Sequence, residues 1–137
     1  MVEIERVLQV VARGAAWAWM CREYLPAGPV CPGCGSPITG ARAIAAFQDC
    51  GQVYCAGCGK RFRATTGTPI HETSWQPEEY VQCLILHLAG KGHAEIGTHL
   101  GKSGHAVRDM LERIRLRYHT PRLLAPSPEK PGHYIGI

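Results

Sequence analysis

The sequence predicts a small α+β protein in which a leading helix, a short cysteine-pinned β-ribbon and three trailing helices follow in chain order. Three observations carry this expectation. Cysteines recur as two matched pairs, apolar residues recur at helical spacing on either side of them, and a short helical pattern ending at Gly101 runs into a longer one after Ser103.

The 137 residues suffice for one ordinary domain or for two small ones that each need further help to hold together. We expect a leading helix in residues 1–29, a ribbon in 30–63, a linker in 64–76, a three-helix unit in 77–119 and a Pro-rich tail in 120–137. In residues 3–24, Ile4, Val7, Leu8, Val11, Ala15, Ala18 and Trp19 fall on one helical face, and Leu25-Pro26 ends the pattern. Val10, Trp17, Met20 and Cys21 lie off that stripe, so the second half should be covered on more than one side. Either the monomer buries both sides, or one face meets a second copy or another protein. The most apolar run, 7–21, is broken by Arg13 and falls short of the ~18 residues of a membrane span. Glu3 and Glu5 precede it where a secretory signal would be basic, so the expectation is a soluble protein of a reducing, cytoplasmic, nucleoid-associated setting.

The ribbon rests on Cys31-Pro32-Gly33-Cys34-Gly35 and Cys55-Ala56-Gly57-Cys58-Gly59, two CxxC knuckles with a 20-residue spacer. Each knuckle places two sulfurs on one side of a tetrahedron and the spacer returns the chain to close it, so Cys31, Cys34, Cys55 and Cys58 are the expected ligands of one structural Zn2+. Four-cysteine iron fits the spacing nearly as well; motif form and basic surroundings favour zinc. A disulfide pair would need an oxidising compartment and would leave one of seven cysteines over. Cys50 lacks knuckle spacing, and Cys21 and Cys83 read as small core residues. Between the knuckles, residues 43–47 and 52–54 are expected as strands with 48–51 as their turn. Lys60, Arg61 and Arg63 then alternate with Phe62, a pattern suited to phosphate contact or to balancing the dianionic metal site.

Residues 64–76 are turn-rich. Pro77 suits a first helical position, Glu78 and Glu79 complement the positive helix end, and Tyr80, Val81, Leu84, Ile85 and Leu88 supply a stripe. Ile96 and Leu100 face inward from a second helix, residues 93–100. Ser103 is the expected N-cap of a third helix, with Val107, Met110, Leu111, Ile114 and Tyr118 on its apolar face. A short helix, a glycine turn and a longer helix form a helix-turn-helix pattern. On that reading Lys102, Ser103, His105, Arg108, Glu112 and Arg115 join Lys60, Arg61 and Arg63 as candidate DNA contacts. Charge agrees in distribution, since residues 102–137 hold seven Lys or Arg against three acids and 77–101 one Lys against three acids. The total of +4, reduced by two with a loaded four-thiolate site, is a weak signal.

The ordered features Cys31-Pro32-x-Cys34-Gly35, Tyr54-Cys55-x-x-Cys58-x-x-x-Phe62, Thr65-Thr66-Gly67-Thr68, Trp75, Ile96, Leu100-Gly101, Val107 and Met110-Leu111-x-Arg113-Ile114-Arg115 resemble the amino-terminal DNA-binding region of zinc-ribbon insertion-sequence transposases. The resemblance covers roughly residues 31–115. It implies a four-cysteine zinc ribbon with short β-hairpins, flanked by an N-terminal helix and a C-terminal three-helix helix-turn-helix. In such transposases a catalytic domain with three separated carboxylates follows this region, and none is expected within these 137 residues. The implied function is a stand-alone double-stranded DNA-binding protein, either a transcriptional regulator or an accessory factor of a mobile element or phage.

An enzyme is not expected: four thiolates close the metal shell, and His93, His99 and His105 do not share a helix face. The competing expectation is a protein-binding zinc-ribbon adaptor that docks on RNA polymerase or another nucleic-acid machine.

Overall fold

The computed structural model describes residues 12–118, which divide into two compact units, 12–77 and 78–118. Among the described residues the elements are α1 (Arg13–Tyr24), α2 (Ala41–Gln48), β1 (Gln52–Tyr54), β2 (Arg61–Arg63), α3 (Pro77–Leu88), α4 (His93–Leu100) and α5 (Gly104–Arg117). Among the described residues the architecture is a small α+β one with one two-stranded antiparallel hairpin. The expected helical residues before position 12 and the Pro-rich tail lie outside the described residues.

In the first unit α1 packs by a face that the expected stripe did not name. Ala16, Trp17, Met20 and Glu23 are buried, while Ala15 and Ala18 are exposed and Trp19 is half-buried. Side-chain bulk decides this, because Trp17 and Met20 remove far more apolar surface from water than alanines do. Trp17 also has a polar reason: its indole Nε1 donates to the Phe47 carbonyl at 2.8 Å, and the two rings lie 5.9 Å apart, tilted.

Residues 43–47, expected as a strand, belong to α2. Four alanines in eight residues favour a helix intrinsically, and a short apolar run carries no periodicity to separate the two states. Only Phe47 of this helix is fully buried. Residues 48–51 do form a turn, but one that ends a helix. Cys50 N–H reaches Phe47 O at 3.0 Å and Gly51 N–H reaches Ala46 O at 2.9 Å, with Cys50 left-handed at φ 58°. The hairpin that follows pairs Gln52 with Arg63, Val53 with Phe62 and Tyr54 with Arg61, so the second knuckle is its loop. Val53 faces the core, and Gln52, Tyr54, Arg61 and Arg63 all face out.

Residues 64–76, expected as a linker, fold into successive turns. The Thr66, Thr68 and Thr73 hydroxyls each donate to the carbonyl three residues back, at 2.7, 2.7 and 2.6 Å. Thr68, Pro69, Ile70 and Trp75 are buried.

In the second unit, α3 buries Tyr80, Val81, Cys83, Leu84 and Leu86, which covers most of its circumference. The expected stripe is thus widened by Cys83 and Leu86, with Ile85 half-buried and Leu88 exposed. The α4–α5 turn repeats the termination seen in α2: Lys102 N–H reaches Gly97 O at 2.8 Å, with Gly101 left-handed at φ 71°. The Ser103 hydroxyl accepts from Ala106 N–H at 3.0 Å, the expected N-cap. Val107, Met110, Leu111 and Ile114 are buried as expected. Ile96 is fully buried and Leu100 half-buried.

Close approach of the backbones makes the turn tight. A Cβ at Gly97 would lie 2.5 Å from the Lys102 carbonyl oxygen and 3.0 Å from the Ser103 carbonyl carbon. Gly97→Ala should therefore cost about 1–3 kcal/mol by overpacking, read as a lower urea midpoint. Gly92→Ala, whose Cβ would meet nothing within 4 Å, should shift it little. Equal midpoints for the two variants would contradict this turn.

Candidate metal centre and basic surfaces

The two knuckles are built alike. In the first, Gly35 N–H donates to Cys31 O at 2.8 Å and Cys31 N–H to Ser36 O at 2.9 Å. In the second, Gly59 N–H donates to Cys55 O and Cys55 N–H to Lys60 O, both at 2.8 Å. Gly35 and Gly59 carry φ of 78° and 74°, which a residue with a Cβ adopts only under strain.

These turns bring the sulfurs of Cys31, Cys34, Cys55 and Cys58 within 4.8 Å of one another. Across the knuckles, Cys31 Sγ lies 3.8 Å from Cys58 Sγ and Cys34 Sγ 3.6 Å from Cys55 Sγ. A tetrahedron with metal–sulfur bonds of ~2.3 Å has edges of about 3.8 Å, so the cluster has the dimensions of a single-ion site. Cys31 and Cys55 are buried, and Cys34 and Cys58 lie nearer the surface. Four cysteines here can hold one metal ion, and all four are the residues named from spacing.

The protons on this cluster are unevenly shared. The Ser36 hydroxyl and then the Ser36 backbone N–H pull the Cys34 thiol down to about 6. For Cys58 the Lys60 N–H works downward, but desolvation and the neighbouring thiols Cys55, Cys31 and Cys34 hold it at about 11. An incoming cation must displace such protons, so affinity should fall on acidification.

The other cysteines are set apart. Burial raises Cys83 to about 12, and burial followed by the charge of Cys50 raises Cys21 to about 11. Both are poor thiolates.

The candidate DNA contacts fall on two surfaces, one in each unit. Lys60, Arg61 and Arg63 are exposed on the hairpin. On α5, His105, Arg108, Asp109, Glu112 and Arg115 are exposed opposite the apolar stripe. Arg115 Nη2 is 3.3 Å from Glu112 Oε1, and Arg108 Nη2 is 3.3 Å from His105 Nε2 and 4.0 Å from Asp109 Oδ1. These exposed pairs each contribute only tenths of a kcal/mol and are readily exchanged for another partner. Lys102 is placed differently: its side chain is 13% exposed and its ammonium lies 3.2 Å from Glu79 Oε1, so it ties the turn to α3. Ser103 is exposed, with its hydroxyl engaged as the N-cap.

Leu116, 66% exposed in the middle of the polar face of α5, was not named from the sequence, and Tyr54, 52% exposed on the hairpin, was named only within the knuckle motif and the expected strand, with no role of its own. Alternation along β1 around buried Val53 was the available signal for Tyr54. Comparison with known protein families, curated proteins and solved structures returns no match to this chain.

Removal of the metal should unfold residues 12–77, because hairpin strands of three residues each cannot hold themselves. The expected result is loss of far-UV and Trp17 signal on chelation, with recovery on adding Zn2+. Cys31→Ser should lose the stoichiometric ion, whereas Cys50→Gly, which relieves a left-handed backbone, should keep it. Retention of one ion per chain by Cys31→Ser would contradict the assignment.

Proposed function

We propose that the protein binds double-stranded DNA sequence-specifically, with α4 and α5 as a helix-turn-helix and a Zn2+-loaded ribbon as a backbone clamp. The observation that carries this reading is the division of α5. Its Val107, Met110, Leu111 and Ile114 edge is buried, and the opposite face offers His105, Arg108, Glu112 and Arg115 after a glycine-tight turn. A helix anchored in this way can enter a major groove, amino end towards the base edges and later arginines on phosphates. Arg61 and Arg63, exposed on β2, suit the phosphate role. Zinc in this site is structural: four thiolates leave no open position for a substrate. A regulator or accessory factor is the class that fits.

A second reading, a protein-binding adaptor, is favoured by one observation, the outward strip of Ala15 and Ala18 on α1 with Ala12 just before it. Capture of a protein partner from nuclease-treated lysate, without duplex binding, would select it.

Selection of bound sequences from random duplex DNA should return one motif. Arg108→Ala should then relax preference at one position at a cost of about 1–3 kcal/mol. Arg61→Ala should weaken all sequences alike and flatten the salt slope by about one unit. No enrichment, or loss of specificity on Arg61→Ala alone, would refute the assignment of roles.

A further inference from the structure

The outer face of the hairpin and the first turn of α2 enclose a groove of about 620 Å³, within the size range of ligand pockets. Small residues contribute much of its lining, among them Gly40, where a Cβ would meet nothing within 4 Å, and Ala43 and Ala46. Tyr54 stands at its wall, 52% exposed. Arg42 and Arg61 lie on the rim, both exposed, and no carboxylate lines the groove. Neither guanidinium is paired with a carboxylate among the described residues. An apolar slot with one half-exposed tyrosine and two cations that have no carboxylate partner matches a planar, apolar-faced anion.

From this we infer that the groove is a binding site for single-stranded DNA, in which a base stacks on Tyr54 and the flanking phosphates meet Arg42 and Arg61. Single-strandedness follows from the chemistry of stacking. Inside a duplex both faces of each base are covered by neighbours, whereas an unpaired base has a face to offer Tyr54 anywhere along a strand. Gln52, beside Tyr54 in the groove, adds an amide that can bond a base edge of any identity. This site does not depend on α5 reading duplex DNA, since every residue in it belongs to residues 36–61, and it shares only Arg61 with the proposed duplex clamp.

The test is fluorescence anisotropy of the zinc-loaded full chain with labelled oligothymidine and, in parallel, a duplex of equal length. Saturable binding to oligothymidine is expected, with a salt slope of about −1.4 for two phosphate contacts. Tyr54→Ala should weaken it about 5- to 150-fold, Tyr54→Phe should restore it, and Arg42→Ala should lower it and halve the slope. Duplex binding should be unchanged by Tyr54→Ala, and Arg108→Ala should act the opposite way. Retained zinc content and an unchanged melting temperature show that each variant is folded. The inference is overturned if oligothymidine does not bind saturably, if Tyr54→Ala binds like the parent, if Tyr54→Phe is as weak as Tyr54→Ala, or if single and double strands lose affinity equally.

Discussion

Residues 12–77 depend on the meeting of four sulfurs at one point. The hairpin has three residues per strand, and its loop is itself a knuckle, so the ladder alone cannot hold the turn. Closing the site ties Cys31 and Cys34 to Cys55 and Cys58 across the intervening α2 and β1. That single constraint fixes where the outward residues of both strands point. The matched backbone bonds of the two knuckles serve the same constraint, each setting one sulfur pair towards the other. If the ion is zinc, such a site carries ~10–16 kcal/mol of apparent binding energy, comparable with the whole stability of a small domain.

Elsewhere the fold reuses one device. Helices α2, α3 and α4 all end with a left-handed residue and two reversed backbone bonds, as in the pair from Gly90 to His87 O and from Lys91 to Leu86 O, each 3.0 Å. Glycine serves at two of these ends and Cys50 at the third. Where helix follows helix directly, the same stop combines with Gly97 to bring the α4 and α5 backbones together and to leave the far side of α5 open. The Lys102–Glu79 ion pair, mostly withdrawn from water, ties that turn to α3.

Features whose cause is local were legible in the sequence. The knuckles, the Ser103 cap and the buried edge of α5 each follow from a few neighbouring residues and a fixed period. Features decided by competition over distance were not. The run 43–47 is apolar enough for either state, and the high helix propensity of alanine decides it. The packed face of α1 was misjudged because spacing treats alanine and tryptophan as equals, whereas the bond from Trp17 to the Phe47 carbonyl spans 30 positions. The groove beside Tyr54 was hidden for the same reason, being assembled from residues 36–40, a helix start, two strands and the second knuckle.

The claim on which all of this depends is a four-sulfur shell around one ion, and X-ray absorption at the metal edge of the purified protein tests it most directly. The four-cysteine geometry predicts one ion with four sulfurs at ~2.3 Å and no nitrogen or oxygen ligand, at a zinc edge if the proposed ion is right. An iron edge in a red preparation would keep the geometry and change the ion. A shell containing nitrogen or oxygen, or less than one ion per chain, would contradict the account.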